Sequence, residues 1–193
     1  MRRQLRITKA DGTTEAYLHT KVIGTINNAL AAVGQADIAV SEDLAEAVTF
    51  YLYNKQGRRT VSSSEVFSMI KAVLTATGYE DAALALSKHA LERRLMRART
   101  EVLAVDMQEF SDAQKLCQTR QPPARTPWDK GQIVHDLTTR FGVRRQTART
   151  VASIVEERVF RMEITMVPLS LLKQLVLGET ASMLRAEREL QTA

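Results

Sequence analysis

The chain has 193 residues, of which 45% are hydrophobic and 25% charged, and its formal net charge is +5. This length allows one medium domain or two small ones, and no apolar run reaches the roughly 20 residues that a membrane-spanning helix needs. The single cysteine, Cys117, excludes an intrachain disulfide and a cysteine-based zinc ribbon, so we expect a protein of the reducing cytoplasm. We expect no signal peptide, because the basic residues Met1-Arg2-Arg3-Gln4-Leu5 lead directly into a polar strand. The positive charge permits nucleotide or nucleic-acid partners, but 22 acidic residues interspersed with 27 basic ones are equally typical of an ordinary mixed surface.

The N-terminal residues predict a β-hairpin followed by a helix. Asp11-Gly12 separates two short β-compatible runs, and this dipeptide is favoured at the centre of a type I′ turn because both central residues need a positive φ. The first helix is predicted over 20–33, with Thr20 as its N-cap and Gly34 after its C-terminus. Hairpin and helix together form the first predicted structural unit of the chain.

Two lysines, Lys9 on the first strand and Lys21 in the first helical turn, are expected to converge beside the helix N-terminus, a favourable place for phosphate. Both belong to the spaced pattern Ile7-x-Lys9-x-Asp11-Gly12-x-x-Glu15-x-Tyr17-x-x-x-Lys21-x-Ile23. This pattern resembles the opening of the ATP-cone. The ATP-cone is the small regulatory nucleotide-binding domain of many ribonucleotide reductases and of the bacterial repressor of their genes. The resemblance extends over about residues 3–97 and implies a hairpin over a four-helix bundle.

Three more helices are predicted in the first hundred residues. Ser41 is expected to cap the second helix, and Ser62 with Glu65 forms a capping-box pattern for the third. The fourth is expected to begin near Asp81 and to continue past Thr100. Its inward-facing leucines are predicted to be Leu84, Leu91 and Leu95.

The predicted fold class is mostly α with a short N-terminal β-hairpin, arranged as an ATP-cone followed by an all-α module. The cone occupies residues 1–100, and residues 101–127 form a helical extension and a linker that contains Pro122, Pro123 and Pro127. Residues 128–193 show helical periodicity and no evident strand. One helix, ending at Gly142, is predicted from Ile133, Val134, Leu137 and Phe141. A second, from about Arg145, is predicted to turn inward Ala148, Val151, Ala152, Val155 and Val159. This last module is either a degenerate cone without its hairpin or an unrelated helical bundle.

The resemblance implies that ATP or dATP, with or without Mg²⁺, is the ligand. It assigns the phosphates to Lys9 and Lys21, the base to Ile7, and a sugar hydroxyl or base edge to Glu15. Ser62 and a fourth-helix arginine, Arg93 or Arg94, complete the predicted site. Relatives often carry a second basic residue where this chain has Ala10, and the loss of one charge-assisted bond weakens binding by about 1.5–3 kcal/mol. From the residues alone, Lys9 and Lys21 are also compatible with plain surface lysines, with Glu15 pairing across the hairpin.

No catalytic pattern is found: the chain has no P-loop, and His19, His89 and His135 do not have metal-ligand spacing. We therefore expect a regulatory nucleotide-binding protein, not an enzyme, whose occupancy controls homo-oligomerisation or docking to a protein partner. By the resemblance, that partner belongs to ribonucleotide reductase regulation.

Two alternatives remain open at this point. Residues 133–149 resemble a helix-turn-helix for DNA, with the polar residues Arg144, Arg145, Gln146 and Arg149 opening the second helix. The other alternative is a protein–protein adaptor that uses the arginine-rich helix beginning near residue 81.

Overall fold

The structure, a computed structural model, describes residues 5–9, 12–54, 60–104 and 124–192. Over these ranges the chain is mostly helical, as predicted, with seven helices and six short strands. None of the helices in these ranges has the length and apolar composition to cross a membrane. The chain divides into two compact units, Met1–Glu92 (the first unit) and Arg93–Ala193 (the second unit), and each has its own hydrophobic core.

The first unit is built on a three-stranded sheet with helices on it. Its central strand, β1, pairs antiparallel with β2 and parallel with β3. The third strand is missing from the sequence prediction, although Thr60 and Val61 are β-branched residues that favour strands. The elements are β1 (Arg6–Thr8), β2 (Thr14–Ala16), α1 (His19–Ala31), α2 (Ile38–Asn54), β3 (Thr60–Ser62), α3 (Ser63–Ala76) and α4 (Glu80–Arg99).

The predicted hairpin is present, but its turn is not the predicted two-residue loop. The Lys9 N–H donates to the Thr13 carbonyl at 2.8 Å and the Gly12 N–H to the Lys9 carbonyl at 3.0 Å. Gly12 is thus the last residue of the turn, and its φ of 77° suits the left-handed position of a three-residue hairpin loop. The remaining loop residues, Ala10 and Asp11, lie outside the described residues.

Side-chain capping groups mark the starts of α3 and α2 but not the start of α1. The prediction for Ser62 is confirmed, since its side chain accepts from the Glu65 N–H and the Glu65 side chain accepts from the Ser62 N–H. Ser41 does not cap α2: Asp37 precedes it, and its Oδ1 accepts from the N–H groups of the first turn. Thr20 is likewise wrong as a cap, because α1 begins at His19 and the capping position holds Leu18 without a side-chain hydrogen bond.

Two predictions about α4 are wrong. The leucines expected to face inward are exposed, and the first part of the helix instead buries Ala82, Ala83 and Leu86. Small alanines allow close packing of the helix, so its larger side chains lie on the outer face. The helix also ends at Arg99 and does not continue past Thr100, because the chain enters a strand there. The exposed fractions of the leucines are 69% for Leu84, 57% for Leu91 and 51% for Leu95.

The second unit also contains a three-stranded sheet, so the prediction of an all-α module is wrong. Its elements are β4 (Glu101–Leu103), β5 (Arg125–Pro127), α5 (Lys130–Thr139), α6 (Arg145–Arg161), β6 (Met166–Pro168) and α7 (Leu169–Thr192). The prediction of a helical extension and a linker over 101–127 is wrong at both ends of that range, because β4 and β5 lie there. Three-residue strands are too short to show a period of two, and a proline such as Pro127 is tolerated at a sheet edge. Residues 105–123, with Pro122, Pro123 and Cys117, lie outside the described part.

The second unit repeats the topology of the first. Strand orders are β2-β1-β3 and β5-β4-β6, and in both sheets the central strand has one antiparallel and one parallel neighbour. Equivalent bonds close both hairpins: the Tyr17 N–H donates to Leu5, and the Trp128 N–H to Thr100. A degenerate cone without its hairpin was one expectation, but the repeat includes the paired strands.

The core of the second unit surrounds α6. The predicted inward stripe of this helix is confirmed, since five small and β-branched residues are fully buried: Ala148, Val151, Ala152, Val155 and Val159. Gly142, with a φ of 63°, separates α5 from α6. Phe141, predicted as an apolar residue of this helix, lies beyond the end of α5 at Thr139 and is 65% exposed.

Candidate functional site

Two lysines and a carboxylate from three elements meet at the hairpin of the first unit. The Lys9 Nζ lies 3.3 Å from the Glu15 Oε2, and the Lys21 Nζ lies 3.5 Å from the Glu15 Oε1. Lys9 follows β1, Glu15 is the middle residue of β2, and Lys21 is in the first turn of α1. We call these three residues the hairpin cluster; the convergence of the two lysines expected from sequence is present.

The hairpin cluster is half-buried and carries a surplus of positive charge. Its side chains are exposed to 31% for Lys9, 46% for Lys21 and 16% for Glu15. The backbone N–H groups at the start of α1 add a partial positive charge beside Lys21. The two lysines are more exposed than Glu15, so their ammonium groups are the part of the cluster that a phosphate from solution can reach.

The sheet places two further predicted residues close to the hairpin cluster in register. Ile7 pairs with Glu15 on β2 and with Val61 on β3; it is 9% exposed and belongs to the core. Ser62 pairs with Thr8, directly before Lys9. Its hydroxyl donates to the Glu65 Oε2 at 2.9 Å and accepts from the Glu65 N–H. Ser62 therefore already serves the cap of α3.

A hydroxyl network that the sequence analysis missed anchors the start of α1. Thr49 Oγ1 donates to the Ala45 carbonyl, so the 2.7 Å contact with Tyr17 and the 2.9 Å contact with His19 Nδ1 have Thr49 as acceptor. Burial raises the pKa of Tyr17. Because His19 opens α1, this network fixes the helix end two residues from Lys21. A serine or threonine in the middle of an amphipathic helix is the only sequence signal for it.

Arg93, predicted from the resemblance as a phosphate ligand of the first site, is bound in the second unit. Its Nη2 donates to the Glu156 Oε1 at 2.6 Å. Arg97 donates twice to the same carboxylate, at 2.9 and 2.8 Å, and the Trp128 Nε1 donates at 3.2 Å. The Lys130 Nζ lies 3.7 Å from the Glu156 Oε1. We call these five residues the Glu156 cluster.

The Glu156 cluster keeps its carboxylate ionised in a fully buried position. Burial alone would raise the pKa of Glu156, but the Arg97 hydrogen bonds, the charges of Lys130 and Arg97 and the Trp128 bond hold the pKa at about 2. The bond to Glu156 also raises the pKa of Arg97. Burial lowers the pKa of Lys130, and the neighbouring guanidinium groups add to that effect, while Glu156 counters it.

The repeated topology allows the two units to be compared position by position. Trp128 occupies the position of Tyr17, and Lys130 opens α5 as His19 opens α1. Glu156 accepts hydrogen bonds from Trp128 as Thr49 does from Tyr17. The aromatic pairs also match: the Tyr17 and Tyr53 rings are 6.5 Å apart, and the Trp128 and Phe160 rings 6.0 Å. A polar side chain bonded to the aromatic residue that follows the hairpin is therefore common to both units.

The hairpin cluster, in contrast, is absent from the repeat. Strand register and helix position assign four equivalents of the predicted ligands. Lys9 becomes Ala104, Glu15 becomes Thr126, Lys21 becomes Gln132 and Ser62 becomes Pro168. The repeat thus keeps the fold but none of the lysine and carboxylate groups of the hairpin cluster.

The repeat also gives another explanation for the helix-turn-helix pattern. The helices α5 and α6 correspond in chain order to α1 and α2, and one face of α6 is buried in the core.

Over the described ranges no group of three His, Cys, Asp or Glu side chains is arranged to hold a metal ion. Comparison with protein-family models and with curated proteins finds no match for this chain. The function of the chain is therefore inferred from the side chains of the hairpin cluster and the Glu156 cluster.

Proposed function

We propose that the first unit binds an adenine nucleotide, ATP or dATP, alone or with Mg²⁺, and that occupancy controls self-association or docking to a protein partner. The observation that carries the proposal is the convergence of Lys9 and Lys21, from the hairpin and from α1, on one half-buried carboxylate. Lysine ammonium groups are flexible point charges suited to phosphate, and Glu15, once released, is an acceptor for a sugar hydroxyl or a base edge.

The proposed regulation follows from the origin of the two lysines. A phosphate chain held by both ties the hairpin to the start of α1, and so stabilises the conformation in which these elements lie together. The nucleotide then acts by population shift, without chemistry on the ligand, and a partner that binds this conformation senses nucleotide concentration. By the resemblance to the ATP-cone, the proposed partner is a ribonucleotide reductase or its regulatory circuit.

The test is calorimetric titration of the full chain with ATP and dATP, with light scattering on the same samples. We expect micromolar binding with a change in mass, and loss of binding in the Lys9→Ala, Lys21→Ala double variant. Lys88→Ala is the matched control, since Lys88 is a first-unit lysine on α4 that is 76% exposed. Absence of heat at millimolar nucleotide, or equal affinity in the double variant, would contradict the proposal.

A further inference from the structure

We propose that the second unit carries a separate anion site, for a phosphate group, formed by Arg93, Arg97 and Lys130 of the Glu156 cluster. This site differs from the one proposed in the first unit in its ligands and its position in the fold. It does not depend on the resemblance, which assigns only Arg93 of these three cations to phosphate and places it in the first site.

The Glu156 cluster has more positive than negative charge, and this imbalance supports the proposal. Three cations lie within 3.7 Å of one carboxylate, which leaves two positive charges beyond what Glu156 neutralises. A phosphate group at neutral pH carries between one and two negative charges, with a second pKa near 6. A bound phosphate would therefore complete the neutralisation that Glu156 begins.

The two arginines of the Glu156 cluster are also held in fixed positions before any anion binds. Glu156 is fully buried, and its oxygens hold the Arg97 guanidinium by two parallel bonds and Arg93 by one. Arg93 also lies over the Phe160 ring, 5.2 Å from its centroid. Each guanidinium has five N–H donors, so donors remain beyond those bonds. Because the arginines are already fixed, an anion binds with little further loss of side-chain entropy.

Lys130 is the third and least satisfied cation. Its Nζ is beyond hydrogen-bond distance of Glu156 at 3.7 Å, and it donates to Ser153 Oγ at 2.7 Å. Its lowered pKa reflects the cost of holding this charge half-buried beside two arginines. Lys130 is also the first residue of α5, directly after the N-cap Asp129. An anion that reaches Lys130 relieves that cost, so Lys130 is the best position to mutate.

The burial of the cluster favours a small phosphate over a nucleic-acid duplex. The side chains of Arg93, Arg97 and Lys130 are exposed to 25%, 47% and 29%, and they surround one point. Contacts to a duplex backbone come from exposed cations spread along a surface. Arg144 and Arg145 are exposed but belong to the start of α6 and are not part of the cluster. The ligand that fits is a phosphate group on a small molecule, either free or at the end of a nucleotide.

The chain supplies its own reporter for the experiment. Trp128 is the single tryptophan, and its indole N–H donates to Glu156. Tryptophan emission of the full chain is titrated with inorganic phosphate, tripolyphosphate and ATP, with sodium chloride at matched ionic strength as the reference. We expect a saturable change with each phosphate compound at sub-millimolar to millimolar concentration, and none with chloride. Equal responses to tripolyphosphate and ATP identify the phosphate chain as the group that is bound.

The variants separate this site from the first one. Lys130→Gln is expected to weaken the tryptophan response to phosphate by about tenfold to a hundredfold, since one charge-assisted bond is lost. Lys173→Gln removes the same charge from an exposed position on α7 and should leave the response unchanged. The Lys9→Ala, Lys21→Ala variant should also retain it, because those lysines belong to the hairpin cluster.

Three results would overturn the proposal. One is a folded chain whose tryptophan emission does not respond to millimolar tripolyphosphate. Another is a response that survives Lys130→Gln, or that disappears with the hairpin lysines. The third is a response to duplex DNA alone. Loss of the micromolar calorimetric ATP binding in the hairpin variant, with the weaker tryptophan response to phosphate intact, would support both sites independently.

Discussion

Glu156 is a charged residue in the core of the second unit. It lies on the apolar face of α6 among fully buried valines, a position that a sequence pattern assigns to a hydrophobic side chain. Removing one member of a buried ion cluster leaves its partners uncompensated, which typically costs about 3–5 kcal/mol. The arginines and Trp128 are therefore held in place by one carboxylate.

Replacing this carboxylate gives the first prediction. Glu156→Gln is expected to lower the free energy of unfolding of the second unit by about 3–5 kcal/mol, because two guanidinium groups lose their partner. Glu157→Gln is the control, since Glu157 is exposed to 54% and pairs with Arg161 on the helix surface. Urea unfolding followed by Trp128 emission measures both variants. Equal midpoints for the two would show that the cluster adds no stability.

The pKa of Glu156 gives the second prediction. Because that pKa is lowered from 4.5 to about 2 in the folded state, its contribution to stability is complete above about pH 4.5 and is lost as the pH falls towards 2. The pKa difference corresponds to about 3 kcal/mol. Unfolding free energies of the wild type should fall over this window, and those of Glu156→Gln should fall less. Parallel curves for the two proteins would exclude Glu156 as the group that titrates.

At the scale of elements, a side-chain cap marks the start of α2. Asp37 accepts two N–H groups of α2, at 2.9 and 3.2 Å, while Ser41 is buried and donates to the Asp37 carbonyl. The third prediction is that Asp37→Ala lowers stability by about 0.5–2 kcal/mol. Asp43→Ala removes the same charge from an exposed position of α2 and should cost less. Thermal unfolding followed by far-UV circular dichroism compares them, and a smaller loss for Asp37→Ala than for Asp43→Ala would reject this capping assignment.

The strands show which elements a local sequence pattern can predict. The first hairpin is predicted because a turn dipeptide lies between two β-compatible runs. The strands β3, β4 and β6 have three residues each, and no adjacent turn signal marks them. Both β3 and β6 join their sheets by parallel pairing to a strand that is distant in the sequence. No local sequence signal indicates such a pairing.

At the scale of the molecule, two separate hydrophobic cores predict two unfolding transitions. The aromatic residues allow each to be followed: Tyr17, Tyr51, Tyr53 and Tyr79 are all of the tyrosines, and all lie in the first unit, whereas Trp128 lies in the second. The fourth prediction is that Glu156→Gln shifts the tryptophan transition in urea and leaves the tyrosine absorbance transition in place. A shift of both by the same amount would mean that the chain unfolds as one cooperative unit.

The repeated topology also shows that the fold and the side chains of the candidate ligand site are independent features of each unit. Both units keep the sheet, the hairpin and a polar side chain bonded to the aromatic residue that follows the hairpin, although Lys9, Glu15 and Lys21 have no charged equivalents in the second. A shared fold therefore does not carry a shared ligand site. Separate proposals for the two units follow from their different side chains.

The sequence by itself determined the features that depend on neighbours within a few residues. These are the helical stripe of α6, the capping box at Ser62, the hairpin, and the approach of Lys9 and Lys21, which lie close in the chain. Only the tertiary structure decided the inward face of α4, the parallel pairing of β3 and β6, and the Glu156 cluster. Arg93 and Glu156 are 63 residues apart. Such contacts are set by how whole elements pack, and no local propensity or period of the sequence encodes that packing.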